Sequence, residues 1–119
     1  MKFKSAKIVN FSHPLTSEQI KEVEEKESIK IEEVINIPVQ FDIESDFLPQ
    51  FEKMIKNVEN LESEFFKVVY VNPPSLGTIS FMLGVEIKKY FYNPKILRWK
   101  QDRGGIFPVW KLAEVIEIK

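Results

Sequence analysis

Two short loops carry most of the residues whose types could bind a ligand. They are residues 10–16 (NFSHPLT) and residues 72–77 (NPPSLG), and each follows a β-branched apolar run and leads into a segment with helical spacing. The only His of the chain, His13, lies in the first loop, and two Asn residues, Asn10 and Asn72, open the two loops. A strand that ends in Asn, Ser and Pro before a helix places free N–H groups at the carboxyl edge of the sheet, where open α/β sheets bind ligands. We therefore expect the functional site at these two loops.

The second loop resembles a phosphate-binding loop only in part. It lacks the Gly-Lys-Ser/Thr ending of a nucleotide triphosphatase, and no Gly-x-Gly-x-x-Gly occurs in the chain, so hydrolysis of nucleoside triphosphates and dinucleotide redox chemistry are not expected. What remains is a helix N-terminus at residues 75–78 that offers N–H groups to an anion, with Pro73 and Pro74 fixing the approach of the chain. The alternative interpretation is that the loop is only a stiff strand-to-helix connection in which Ser75 caps the helix.

His13 also has two interpretations. It could stack on a base, bind a phosphate or act as an acid or base, because its pKa can lie near neutrality. Alternatively, it only ties down its own backbone before Pro14. No Ser-His-Asp or Cys-His set can be assembled, the chain has no Cys, and one His with scattered carboxylates does not predict a metal site. We expect no catalytic residue, no metal and no cofactor.

A basic stretch near the carboxyl end offers a second anion-binding candidate. The stretch consists of Lys95, Arg98, Lys100 and Arg103, and Lys111 is expected to oppose it across a hairpin. On a strand, Arg98 and Lys100 share one face while the interleaved Trp99 points to the other. One interpretation is a phosphate clamp with a bidentate Arg98. The other is the protection of an edge strand by charge.

Composition limits the class of protein. The 119 residues suit a single domain spanning 1–119, with 44% hydrophobic residues to form a core. A net charge of −1 argues against general nucleic-acid binding, which needs a broad basic face. No apolar run approaches the ~20 residues of a membrane span, the amino end lacks the features of a signal peptide, and the absence of Cys suits a reducing compartment. We expect a soluble, cytoplasmic protein.

Hydrophobic periodicity predicts the order β-α-β-α-β-α-β-β. The predicted strands cover residues 7–11, 31–39, 65–71, 95–100 and 109–118. The first helix begins with a capping box formed by Thr16 and Gln19, the second has Ser45 as its cap, and the third ends near Asn93. This pattern predicts an α/β fold, Rossmann-like, with a mostly parallel sheet and a C-terminal antiparallel hairpin. With the strand order 2-1-3-4-5, the two loops would meet in one crevice between strands one and three.

Five sequence segments resemble a known family. They are residues 9–16 (VNFSHPLT), 35–42 (INIPVQFD), 71–77 (VNPPSLG), 96–98 (ILR) and 113–116 (AEVI). In this order they are similar to the small CRISPR-associated ancillary proteins of the Csx group, specifically its fifteenth member. The resemblance covers nearly the whole chain.

The resemblance implies a ligand and a partner. The family is associated with type III CRISPR systems, in which cyclic oligoadenylates are second messengers, so it implies a Rossmann-like domain that binds cyclic tetra-adenylate. A ring with rotational symmetry favours a homodimer or larger homo-oligomer with the ligand at the interface. Phosphates would lie at the N-termini of helices one and three, and adenines would meet amide and aromatic side chains. The expected ligand-binding residues are Asn10, Phe11, Ser12, His13, Gln40, Phe41, Asn72, Pro73, Pro74, Ser75, Gly77 and Arg98.

The expected function is to sequester this messenger and so damp the antiviral signal. One alternative is a ring nuclease, because ring opening uses the ligand's own 2′-hydroxyl and needs only in-line positioning and one charge-stabilising side chain. The other alternative is a scaffold subunit of a CRISPR complex, in which the loops serve only the fold.

Overall fold

A computed structural model describes residues 5–61 and 68–117, and it contains the eight predicted elements in the predicted order. The five strands are β1 (Ser5–Asn10), β2 (Lys30–Asn36), β3 (Val68–Asn72), β4 (Lys95–Asp102) and β5 (Val109–Glu117). The three α-helices are α1 (Ser17–Glu27), α2 (Phe47–Glu59) and α3 (Gly77–Glu86), and a 3₁₀ turn (Ile87–Lys89) follows α3.

The strands form one mixed sheet in the order β2-β1-β3-β4-β5. β1 pairs in parallel with both β2 and β3, β3 pairs in parallel with β4, and β4 and β5 form an antiparallel hairpin. The α/β class, the strand order and the terminal hairpin agree with the sequence prediction. Because the chain progresses outward from β1 in both directions, the carboxyl ends of β1 and β3 border the switch point of the sheet.

Helices cover both faces of the sheet. Ile8 and Val9 are adjacent in β1 and both are fully buried, as expected for a central strand with a packed layer on each side. On one face, Val23 of α1 packs with Ile8 and Tyr70. On the other face, side chains of α2 and α3 pack in one cluster with β1 and β3; its buried members include Val9, Val71, Phe51, Met54, Ile79 and Leu83.

The predicted N-cap is confirmed for α1 and wrong for α2, whereas for α3 the predicted start within residues 75–78 is confirmed but Ser75 as its cap is wrong. Thr16 caps α1: its Oγ1 accepts from the Gln19 N–H at 3.1 Å, and Gln19 Oε1 accepts from the Thr16 N–H at 2.9 Å. At α2 the N-cap is Asp46, while the Ser45 hydroxyl donates to the Asp42 carboxylate at 2.9 Å. At α3 the N-cap is Leu76, so Ser75 is not the cap.

Some predicted ends also differ from the structure. α3 ends at Glu86 and tightens into the 3₁₀ turn, well before Asn93, which has a left-handed φ of 48° in the turn that leads to β4. β2 ends at Asn36 and not at residue 39, since Pro38 has no N–H for a strand ladder. The predicted strand residues 65–67 and 118 lie outside the described residues.

The hairpin extends beyond the rest of the sheet. β4 is paired with β3 only at Lys95 and Ile96, and β3 ends at Asn72. The five residues from Arg98 to Asp102 therefore continue past the carboxyl edge with β5 as their partner, over roughly 17 Å at the usual rise of a strand. We call residues 98–114 the hairpin arm. It stands beside the edge at which β1 and β3 end.

Candidate functional site

The two loops that follow β1 and β3 border one shallow recess. Its lining residues are Phe11, Ser12, His13, Val39, Ser75 and Leu76. The recess has an empty volume of about 440 Å³, including the open solvent at its mouth. The structure thus brings together residues more than 60 positions apart, at the place that the strand order predicts.

A chain of side-chain hydrogen bonds runs beneath this recess and across four strands. The Trp99 indole N–H donates to Asn72 Oδ1 at 2.9 Å, and Asn72 Nδ2 donates to Asn10 Oδ1 at 2.8 Å. Asn10 Nδ2 in turn donates to Asn36 Oδ1 at 2.9 Å. We call these four residues the Asn–Trp chain. It ties together the carboxyl ends of β2, β1 and β3 and the start of the hairpin arm.

Asn10 uses its whole hydrogen-bonding capacity inside the protein. Besides the two Asn partners, its Nδ2 donates to the His13 carbonyl at 2.9 Å and its Oδ1 accepts from the Ser12 N–H at 3.0 Å. The residue is only 1% exposed. An amide has two donor hydrogens and two acceptor sites, so no group of Asn10 is left for a base in this conformation. Its contribution is to fix the backbone at Ser12 and His13.

Trp99 belongs to the site although sequence reasoning did not include it. The prediction that Trp99 and Arg98 lie on opposite faces is confirmed, because Trp99 packs on the α1 side of the sheet. The signal that could have found it is general: a partly buried indole N–H requires an acceptor. Which acceptor serves depends on the pairing of β3 with β4, and local sequence does not encode that pairing.

Three polar side chains that line the recess have no hydrogen-bond partner among the described residues. They are the Ser12 hydroxyl, the His13 imidazole and the Ser75 hydroxyl. Hydroxyl and imidazole groups can donate to phosphate oxygens and can donate to or accept from a base. The arrangement therefore suits the binding of a polar, anionic ligand. It forms no nucleophile–base pair among these residues.

The start of α3 differs from the start of α1. At α1 the Thr16 side chain occupies the Gln19 N–H, whereas the N-cap of α3, Leu76, makes no side-chain hydrogen bond. The first N–H groups of α3 thus remain available at the rim of the recess. A Cβ built on Gly77 would meet no atom within 4 Å outside its chain neighbours and its own helix backbone, so there is open space on that side of the residue.

The other predicted site residues differ in how far their side chains are exposed. Phe11 is 1% exposed and belongs to the core, so its ring has no open face. Phe41 is half-buried and packs edge-to-face with Phe47 at a centroid distance of 5.6 Å. Gln40 is exposed next to the lining residue Val39.

The remaining three predicted residues are also accounted for. Pro73 is half-buried and Pro74 buried in the connection from β3 to α3. Arg98 lies on the hairpin arm, where its Nε donates to the Glu114 carboxylate at 2.6 Å. Its role as a ligand contact stays a prediction.

The segment that follows β2 is shaped by one carboxylate. Asp42 accepts from the Glu44 N–H at 2.9 Å and from the Ser45 hydroxyl at 2.9 Å. These two hydrogen bonds hold the pKa of Asp42 below its usual value, with the backbone bond to Glu44 as the larger cause. The turn at residues 42–45 therefore anchors the end of the segment that contributes Val39 to the recess.

Comparison with protein-family models, with curated proteins and with solved structures finds no match to this chain. Within residues 5–61 and 68–117, no three His, Cys, Asp or Glu side chains are grouped to hold a metal ion. No helix in the same residues is long and apolar enough to cross a membrane. The fold and the recess define an α/β domain with an open polar site at its switch point, and the function must be argued from that site.

Proposed function

We propose that this protein is a CRISPR-associated ancillary protein of the Csx group that binds cyclic tetra-adenylate and sequesters it, damping the signal of a type III system. In this proposal the domain is Rossmann-like and cytoplasmic, and it acts as a homo-oligomer with the ligand at the interface. The observation that supports it best is the recess at the switch point, where Ser12, His13 and Ser75 have unpartnered polar side chains. The five sequence segments that resemble the family include both loops of this recess.

The size of the recess bears on how such a ring would bind. The recess is shallow, and its empty volume of about 440 Å³ includes the open solvent at its mouth. Such a recess on one chain would leave most of a four-nucleotide ring in water. Subunits related by rotation would offer the same recess to equivalent nucleotides of a symmetric ring. The dimensions therefore favour an assembly over a single chain as the binding unit.

Some polar groups of the site would contact the ligand, and others would hold the loops in place. A phosphate would lie at the start of α3, where the N-cap Leu76 leaves the first N–H groups free. Ser12, His13 and Ser75 would donate to the same phosphate or to the base, and exposed Gln40 would read an adenine edge. Asn10 would act through the loop backbone that it holds.

The ring-nuclease alternative rests on His13. Its imidazole is exposed and has no partner among the described residues, so it could stabilise charge as the ligand's 2′-hydroxyl attacks its own phosphate. Binding and cleavage would use the same recess. They differ only in the fate of the ring.

The test is incubation of the protein with labelled cyclic tetra-adenylate, followed by measurement of affinity and analysis of the recovered ligand. The wild type should bind tightly and return the ring intact. Replacing Ser12 and His13 together by Ala should weaken binding by at least about tenfold, with an unchanged thermal unfolding midpoint, because both side chains are unpartnered in the fold. Asn57→Ala, which removes an exposed polar side chain from α2, is the control and should bind like wild type.

Three other outcomes would contradict the proposal. A linear product under multiple turnover would identify a ring nuclease, and the absence of both binding and cleavage would favour the scaffold alternative. Wild-type affinity in the double Ala variant would remove the recess as the binding site.

A further inference from the structure

The hairpin arm carries two lysines directly opposite each other. In the register of β4 and β5, Lys100 is the partner of Lys111. Directly opposed residues of an antiparallel pair lie on the same face with Cβ atoms ~5 Å apart, and like charges in this position destabilise the pair. Neither ammonium group has an ion-pair partner among the described residues.

The other charged pairs of the hairpin each place a basic residue opposite a carboxylate. Lys95 opposes Glu117, with Nζ and Oε1 at 3.8 Å, and Arg98 opposes Glu114, with Nε and Oε1 at 2.6 Å. Each basic residue of β4 before Lys100 is thus matched by a carboxylate of β5. The lysine pair is the exception within this hairpin, because no carboxylate of β4 or β5 opposes either lysine.

The nearest carboxylate on the arm does not supply that charge. Asp102 follows Lys100 on the same face of β4, but its Oδ1 accepts from the Gly104 N–H at 2.9 Å and closes the turn. It makes no ion pair with either lysine within the part of the chain that the structure describes.

Edge protection does not explain Lys111, because α1 already covers the free edge of β5 there. Gln19 Nε2 donates to the Trp110 carbonyl at 3.3 Å, and the Leu112 N–H donates to the Glu22 carboxylate at 3.4 Å. These are the backbone groups on either side of Lys111. Among the described residues, no strand pairs with the other edge of β4 beyond Ile96, so edge protection competes as an interpretation only for Lys100.

The lysine pair and the recess lie on the same side of the sheet. Residues of β4 alternate: Leu97 and Trp99 pack in the cluster on the α1 side, so Lys100 belongs to the α2–α3 side. Phe11 and Leu76, which line the recess, belong to the cluster on the α2–α3 side as well. The arm rises past the carboxyl edge at which the recess opens.

We propose that Lys100 and Lys111 form a phosphate-binding subsite on the hairpin arm. It takes a phosphate group of the same cyclic oligoadenylate whose neighbouring nucleotide occupies the recess, and to that extent it rests on the proposed function. The two ammonium groups receive the phosphate as point charges from both strands. Its negative charge removes the repulsion between them.

The experiment measures the affinity for cyclic tetra-adenylate as a function of salt in the wild type and in the double variant Lys100→Gln, Lys111→Gln. Binding should be about tenfold weaker or more at low salt, and the magnitude of the slope of log K against log salt should fall by about 0.7, the value for one phosphate that is no longer neutralised. The matched control is Lys21→Gln with Lys53→Gln, which removes two exposed charges from α1 and α2 and should keep the wild-type slope. The unfolding midpoint of the Lys100, Lys111 variant should not fall, because its change relieves a repulsion.

A second probe separates this subsite from the identity of the ligand. Tripolyphosphate should raise the unfolding midpoint of the wild type and of the control, and it should have a smaller effect on the Lys100, Lys111 variant. Wild-type affinity and slope for the ring in that variant would overturn the subsite and leave the proposed function standing. If the wild type binds no ring, the proposed function fails. The subsite is then supported only if tripolyphosphate raises the unfolding midpoint of the wild type more than that of the variant. Equal stabilisation of both by tripolyphosphate would overturn it.

Discussion

At the scale of single residues, the site separates groups that hold the loops from groups that are free to bind. Asn10 is buried and has four hydrogen bonds within the protein, whereas Ser12 and His13, which it positions, have unpartnered side chains. From the sequence both kinds look alike, because an Asn at the end of a strand serves equally well as a ligand contact or as a turn former. Only the neighbouring strands, which contribute Asn36 and Asn72, decide the role.

Asn10→Ala should reduce the free energy of unfolding by about 3 kcal/mol, since it leaves the buried Asn72 amide and the Ser12 N–H without a partner. Urea denaturation measures this change. Asn57→Ala, on an exposed position of α2, is the control and should be neutral or slightly stabilising, because Ala is the better helix former. Equal midpoints for the two variants would mean that the hydrogen bonds of Asn10 do not hold the site.

At the scale of elements, the sequence predicted what local chemistry determines. The capping box of Thr16 and Gln19 was found because its four residues contain the whole interaction. The alternation of strands and helices likewise predicted the parallel pairing of the first four strands, and the order that the sequence analysis assumed for the sheet is the order observed. The caps at Ser45 and Ser75 were wrong, because each serine precedes the true N-cap and the backbone of the incoming chain selects that position.

Contacts between residues far apart in the chain could not be predicted from local sequence. The opposition of Lys100 and Lys111 could be anticipated from a hairpin, but the bond from Trp99 to Asn72 spans 27 positions and depends on how two parallel strands align. The partner of Arg98, Glu114, was not foreseen because the register of the hairpin shifts between Arg98 and Trp99, and a regular register from Lys100 and Lys111 would place Ala113 there. The elements and the meeting of the two loops at one recess were therefore predictable, while the hydrogen-bond partners of the side chains around that recess were not.

The hairpin arm should depend on the Asn–Trp chain. Trp99→Phe keeps most of the apolar packing but removes the indole N–H, so the buried Asn72 Oδ1 loses its donor. We expect a loss of about 1–2 kcal/mol in the free energy of unfolding and faster hydrogen exchange in residues 98–114. The control is Trp110→Phe, at a side chain that is 53% exposed, which should change stability by less than about 0.5 kcal/mol. Identical exchange rates in the two variants would contradict the role of the chain in holding the arm.

At the scale of the whole molecule, one recess and one arm cover only part of a four-nucleotide ring. Binding by a single chain would leave the other face of the ring in water, whereas ligands bound tightly in pockets have most of their surface buried. Two or more chains that present the same loops and the same lysine pair would enclose the ring from several sides. The ligand then stabilises the assembly by mass action, so the size of the assembly should rise as ligand is added.

Sedimentation of the protein with and without cyclic tetra-adenylate tests this account most directly. The ligand is followed by adenine absorbance, and the protein is followed separately. We predict that the adenine absorbance sediments with the protein, in a species that contains at least two chains for each ring and is larger than the ligand-free protein. Adenine absorbance that stays behind while the protein sediments unchanged would contradict the binding function, and a single chain carrying one ring at saturation would contradict the shared site.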